Sequence, residues 1–512
     1  MRLVNLGLLA SLACTCATAD VIAGTGTPSA TTLGQRTATQ LVGEQAGIGH
    51  ALIVPYYSTQ NGNVSVFSIT NTDRANGKAV KVRVRGAGNG DSLLSLTVLL
   101  GPGDVWNATL RQGANGVAEL MTYDSTCAIP RVAEGVAQPL STARLNSPTW
   151  TDADKTNQTR EGYVEILSMA DIPRTSPTSA LFEAIRRDRY PATPCGESLY
   201  DATAIFGAVS NLNHTIEATA ASVGLAAPTS GIAGKWLIIN APETTTFAGS
   251  MYALRAVDDN GEDARANFVL FPQTAAPYSG AADDVTADPL FRTVVHGRKT
   301  YDGVPLDPVV GPARNAAMND LPDLSTPYVV SQVPDAALIQ ADRLSASMVV
   351  RGIRNEYATE PTLAARTDWI ISMPARRYSV AVDYGRQILF NLVPSTGKQY
   401  FHSWNVGCWD ASMYSYDREG TGRTNTPAPM HPLIPHICGA VSVVSIGPES
   451  ASVVGASVTR QNTGLLFQNG WASLGVDSVP LIGSAFIRFY NPSVSPGISG
   501  NYGITFDHWL TR

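Results

Sequence analysis

The chain is short of charge: Asp, Glu, Lys and Arg together make up 15% of its 512 residues, where soluble domains usually carry about 25%. Lysine is scarcest, six of the 36 basic residues, and no basic run is longer than Arg186-Arg187-Asp188-Arg189. Such a chain, net −6, argues against a nucleic-acid partner, whose phosphates are met by clustered Lys and Arg. Past the first twenty residues there is no apolar run approaching the roughly 20 residues that a transmembrane helix needs. Also missing are the HExxH zinc helix, the GxSxG elbow, the GxxxxGK[ST] phosphate loop and a GxGxxG following a strand. Gly234-Lys235 is followed by Trp236 and lacks the upstream glycine of a phosphate loop. His50, His214, His296, His402, His431 and His508 are scattered singly, so the sequence names no catalytic residue.

What is present begins with an export signal. Arg2 gives a positive start, Leu6 to Ala13 an apolar stretch, and Ala17-Thr18-Ala19 a small-x-small cleavage site before Asp20. A lipoprotein would carry an aliphatic residue three places before its acylated cysteine, but Cys14 has Ser11 there and Cys16 has Ala13. Residues 1–19 therefore predict an exported protein, at the cell surface, outside the cell or in the periplasm. Removing Arg2 takes the net charge from −6 to −7.

Removal of the signal also leaves four of the six cysteines. In an oxidising compartment an even count predicts disulfides, and the sequence-local pairing is Cys127 with Cys195 and Cys408 with Cys438. A zinc site from Cys408, His431, His436 and Cys438 is the weaker reading, because Pro432 and Pro435 extend the segment and the spacing fits no compact finger.

The fold class is mainly β. In Lys78 to Arg85, Val80, Val82 and Val84 alternate with Lys81, Arg83 and Arg85, predicting a strand with one core face and one solvated face. Leu94, Leu96, Val98 and Leu100 repeat the period, and Asn61-Gly62, Asn76-Gly77 and Asn89-Gly90 mark turns. Short strands without helical period between them predict antiparallel, immunoglobulin-like sandwiches with a few short helices. The helices fall at Ser179 to Arg187 and Ala336 to Asn355. The expected organisation is a flexible or edge-lying arm over 20–45, an N-terminal sandwich over 46–125 and a second β-rich region over 126–271. A loop-rich connection over 272–324 and a C-terminal β-rich domain over 325–512 complete it.

Candidate ligand residues are few. Asp258, Asn260 and Asp263, and separately Asp283 and Asp284, offer oxygens to calcium, without the ligand spacing of a calcium loop. No other cofactor is expected. Trp404, Trp409, Tyr414 and Tyr416 surround Cys408, a density suited to stacking a glycan or to packing over the disulfide.

The chain resembles a family of exported proteobacterial proteins described as cell-surface proteins. The resemblance rests on Val54-Pro55-Tyr56-Tyr57, Asn71-Thr72, Val80 to Arg85, Gly103-Asp104-Val105-Trp106 and Arg160 to Val164. It continues through Thr367-Asp368-Trp369 to Pro374, Gly470-Trp471 and Asn501-Tyr502-Gly503. Where one base is expected soon after Pro374, this chain has Arg376-Arg377. What the resemblance implies is location, with no catalytic residues to carry over. The expected function is that of an exported surface or extracellular structural and adhesive protein, contacting itself, other surface proteins or a glycan. The alternative is a secreted hydrolase or lyase acting on an extracellular polymer.

Overall fold

Asn61 and Gly62 both adopt positive φ, 52° and 80°, and this left-handed pair turns the strand Ala51–Ser58 into the strand Asn63–Asn71. The turn also hands the chain from one sheet to another, and the same move repeats throughout the molecule. A computed structural model describes residues 20–22, 38–174, 180–186, 224–270, 336–391, 400–447 and 451–512, except 130, 143–144, 146, 148, 267, 384–387, 402–405, 421, 425–434, 466 and 492–499. The expected signal at 1–19 and the expected connection at 272–324 lie outside these residues.

The first sandwich has a seven-stranded sheet in the spatial order Gln40–Gln45, Tyr252–Val257, Ala51–Ser58, Glu161–Ile172, Gly77–Gly86, Ser92–Leu100, Cys127–Ile129. Its second sheet runs Gln138–Pro139, Ala118–Met121, Val105–Gln112, Asn63–Asn71, Ile232–Asn240, Thr245–Ser250. Every pairing is antiparallel, and the six and seven strands exceed the count of an immunoglobulin domain. Strands from before and after residue 125 share both sheets, with Glu161–Ile172 lying between Ala51–Ser58 and Gly77–Gly86. Of the expected arm, Gln40–Gln45 pairs with Tyr252–Val257 at a sheet edge and Asp20–Ile22 pairs with Phe268–Leu270.

The second sandwich repeats the plan with two five-stranded sheets. The third sheet runs Gly422–Thr424, Ser412–Tyr416, Asn469–Pro480, Val349–Ala358, Trp509–Thr511. The fourth runs Arg460–Thr463, Val441–Ile446, Arg366–Ser372, Ile482–Tyr490, Asn501–Asp507, with one parallel pairing, between Val441–Ile446 and Arg460–Thr463. Trp369, Ile371, Val444 and Ala485 of the fourth sheet meet Ile353, Ala472 and Leu474 of the third in one core. The fourth sheet buries its opposite face as well: Ile370, Val441, Val443 and Phe486 join the core of the first sandwich. Phe486 stacks on Phe247 at 5.1 Å and lies 5.6 Å from Trp236 and 6.4 Å from Tyr56. One sheet thus serves two cores, which accounts for the successive burial of Trp369, Ile370 and Ile371.

Two expected elements change character. The helix Ala336–Met348 stops at Val349, and Val349–Ala358 is a strand whose β-branched start favours extended backbone. Tyr378-Ser379-Val380-Ala381-Val382 reads in sequence as one strand, but Tyr378 lies in the helical turn Arg376–Ser379, with the strand beginning at Val380. The short helix expected near Phe182 is Ala180–Ile185.

The larger correction concerns the face of Lys81, Arg83 and Arg85. All three are buried. Glu165, opposite Arg83 on the neighbouring strand, has one carboxylate oxygen 3.1 Å from Arg85 Nε and 4.0 Å from Arg83 Nη1. Tyr378 donates to that oxygen at 2.7 Å, while Arg376 donates to Asn89 at 2.9 Å and Arg377 lies 3.7 Å from Asp91. The turn after Pro374 thereby roofs this face and joins the two halves. Alternation reveals two faces of a strand, but not whether distant chain will cover the polar one.

Candidate functional site

Register places a row of side chains on the outward face of the third sheet. Tyr416 is opposite Trp471, Trp471 is opposite Glu356, and Arg354 is opposite Trp509. Residues facing each other across antiparallel strands share a face, so Tyr416, Trp471, Glu356, Arg354 and Trp509 all point away from the core that holds Ala472, Leu474 and Ile353. Tyr416 stacks on Trp471 at 3.9 Å and 9°, and the Arg354 guanidinium lies 5.8 Å from the centre of the Trp471 ring. Gly470 allows this close approach, because a Cβ there would stand 1.9 Å from the Tyr416 carbonyl oxygen. Trp509 is the most open of these rings, 61% exposed.

Beside the row, the fourth sheet outruns its cover. Phe506 is opposite Ala485, Ile504 opposite Ile487 and Tyr502 opposite Phe489, so all three project toward the inner side that Ala485 shares with the core. The third sheet ends there in the three-residue strand Trp509–Thr511. Tyr502, Ile504 and Phe506 consequently remain exposed. A groove of about 810 Å³ opens between this wall and the edge of the third sheet, within the size range of small-ligand clefts.

The groove is both apolar and charged. Ile487, Phe489, Ile504 and Phe506 supply the wall, whereas Arg354, Arg418, Glu356 and Glu360 bring two cations and two anions. Glu360 accepts from the Thr362 amide at 3.4 Å and its hydroxyl at 3.1 Å, and these bonds hold its carboxyl below the usual carboxylate range. Asn469 donates to the other Glu360 oxygen at 3.1 Å. Glu360 is thus set as a hydrogen-bond acceptor and not as a proton donor.

The aromatics expected around Cys408 do not form one platform. Trp409 is buried in the second core at 5% exposure, whereas Tyr414 and Tyr416 alternate onto the outward face. Trp404 lies outside the described residues. Sequence reasoning misses Trp471, Trp509, Arg354, Glu356 and Phe506 as site residues. The signal available was the alternation Ile353, Asn355, Tyr357 inward against Arg354, Glu356 outward, which a helical reading of that segment conceals.

Cys408 and Cys438 are directly opposed across two strands and bridged. The weaker zinc reading therefore fails at its two thiols. Cys127 is also disulfide-bonded, and its expected partner Cys195 lies outside the described residues. Asp258 accepts from the backbone of Asn260 and Glu262 at 2.9 and 3.0 Å, an Asx turn, and Asp263 pairs with Arg255 at 3.0 Å. Among the described residues no three His, Cys, Asp or Glu side chains converge as metal ligands, and Asp283 and Asp284 lie outside them. No helix among the described residues is long and apolar enough to cross a membrane. No family model, no curated protein and no solved structure matches the chain.

Proposed function

We propose that this is an exported structural or adhesive protein of the bacterial surface or extracellular space, working through contact with proteins or glycans. The observation that carries the reading is the open aromatic face of the third sheet beside the uncovered wall of the fourth. Solvated apolar rings in such numbers cost free energy in isolation and mark a surface that meets another molecule. The signal at 1–19, the scarcity of charge and the resemblance to exported proteobacterial surface proteins supply the location. The alternative, a hydrolase or lyase on an extracellular polymer, draws support from Glu356 and Glu360 in one groove. Of these two, Glu360 is held below the usual carboxylate range, the direction opposite to the one a general acid needs.

Cell fractionation with protease shaving of intact cells tests the reading. Loss of the protein from unpermeabilised cells, or its recovery from the medium bound to surface material, is expected. Confinement to the periplasm with full protection from protease would overturn it.

A further inference from the structure

We infer that the groove between Trp509 and Phe506 binds a neutral oligosaccharide. The inference rests on the contact reading above and names the chemistry of the contact. Four observations point the same way. First, aromatic rings gather at the groove: Trp471, Trp509 and Phe506 line it, Trp509 is open to solvent, and Tyr416 stacks on Trp471 beside it. A pyranose presents flat C–H faces that such rings cover. Second, hydrogen-bonding groups alternate with the rings, Arg354 and Glu356 between Trp471 and Trp509 in register. Guanidinium and carboxylate each engage two neighbouring hydroxyls, the donors and acceptors that a sugar ring carries in its plane.

Third, the groove's formal charges cancel, Arg354 and Arg418 against Glu356 and Glu360, so the complementary occupant is uncharged. An anionic polymer would meet two carboxylates, and a cationic peptide two guanidinium groups. Fourth, two of the polar groups are held before any ligand arrives: Glu360 by Thr362 and Asn469, and Arg354 against the indole. Such anchoring lowers the ordering cost of binding.

The test titrates the full-length secreted protein, by tryptophan fluorescence and calorimetry, with cellohexaose, xylohexaose, maltohexaose and chitohexaose. Polygalacturonate and a peptide of alternating apolar residues are titrated in parallel. Saturable binding of at least one neutral hexasaccharide is expected, with affinity falling roughly tenfold or more in Trp509→Ala and in Phe506→Ala, as truncation of an aromatic anchor produces. Both residues are exposed, and unchanged melting temperatures establish that the variants fold. The inference is overturned if no neutral hexasaccharide binds, if binding survives Trp509→Ala, if polygalacturonate binds more tightly, or if the peptide alone occupies the groove. Its failure is distinguishable from failure of the contact reading: surface localisation by protease shaving, with no sugar bound, would sink the groove's assignment alone. Sugar binding by a protein confined to the periplasm would sink the surface assignment alone.

Discussion

At the scale of single residues, two buried histidines tie stability to acidity. His508 accepts from the Asn355 amide through Nδ1 at 2.9 Å and donates from Nε2 to the Ile370 carbonyl at 3.0 Å. His50 is arranged alike, accepting from the Ala256 amide at 3.1 Å and donating to the Ala264 carbonyl at 2.9 Å. A second proton on either ring would face an N–H donor in a dry site, and burial lowers both from 6.5 to about 3. The unfolded chain therefore takes these protons first. The histidines' contribution is complete above pH 6.5 and declines as pH falls toward 3, by up to about 1.4 kcal/mol per unit for each ring. Glu161, Asp171 and Asp368 oppose this, because burial raises each of them and the folded state takes their protons first. His508→Gln is expected to be less stable than the parent at pH 7 and to lose less melting temperature between pH 6.5 and 4.5. An unchanged slope in a thermal-melt series would show that His508 carries none of the dependence.

At the scale of elements, the meeting of the Tyr416 and Trp471 strands is the most exacting. Gly470→Ala forces a methyl against the Tyr416 carbonyl oxygen, so the strands must separate or shift. A loss of about 1–3 kcal/mol is expected from such overpacking, and denaturant titration measures it. Near-ultraviolet circular dichroism should report the altered stack at the same time. The strands themselves were legible in the sequence: Val80 to Arg85, Arg366–Ser372 and Ile482–Tyr490 all carry short-range signals of extended chain. What covers them was not. Arg83 and Arg85 look solvent-facing in isolation, and only Glu165, Tyr378 and the turn at Arg376–Ser379 make that face interior. The candidate site was half visible for a related reason. Tyr414 and Tyr416 sit on one strand and were singled out together. Trp471, Arg354 and Trp509 come from three other strands and join them only through register.

At the scale of the whole molecule, the fourth sheet belongs to both cores, so the two sandwiches are expected to unfold as one unit. Glu161 of the first half accepts from Gln60 at 2.9 Å and from the Ser457 amide of the second half at 2.8 Å, while Ser58 donates to the Val454 carbonyl at 3.0 Å. Phe486→Ala removes the ring shared by Tyr56, Trp236 and Phe247, with an expected cost of about 3–5 kcal/mol. Calorimetry should show a single transition moving downward, and two separated transitions in the parent protein would contradict the shared core. The Cys408–Cys438 bridge also has a mechanical consequence. The two cysteines are 30 residues apart, so a chain drawn out by its ends keeps roughly 100 Å of potential slack locked behind the bond. Under a steady pull on the chain ends this segment lengthens less than its sequence allows.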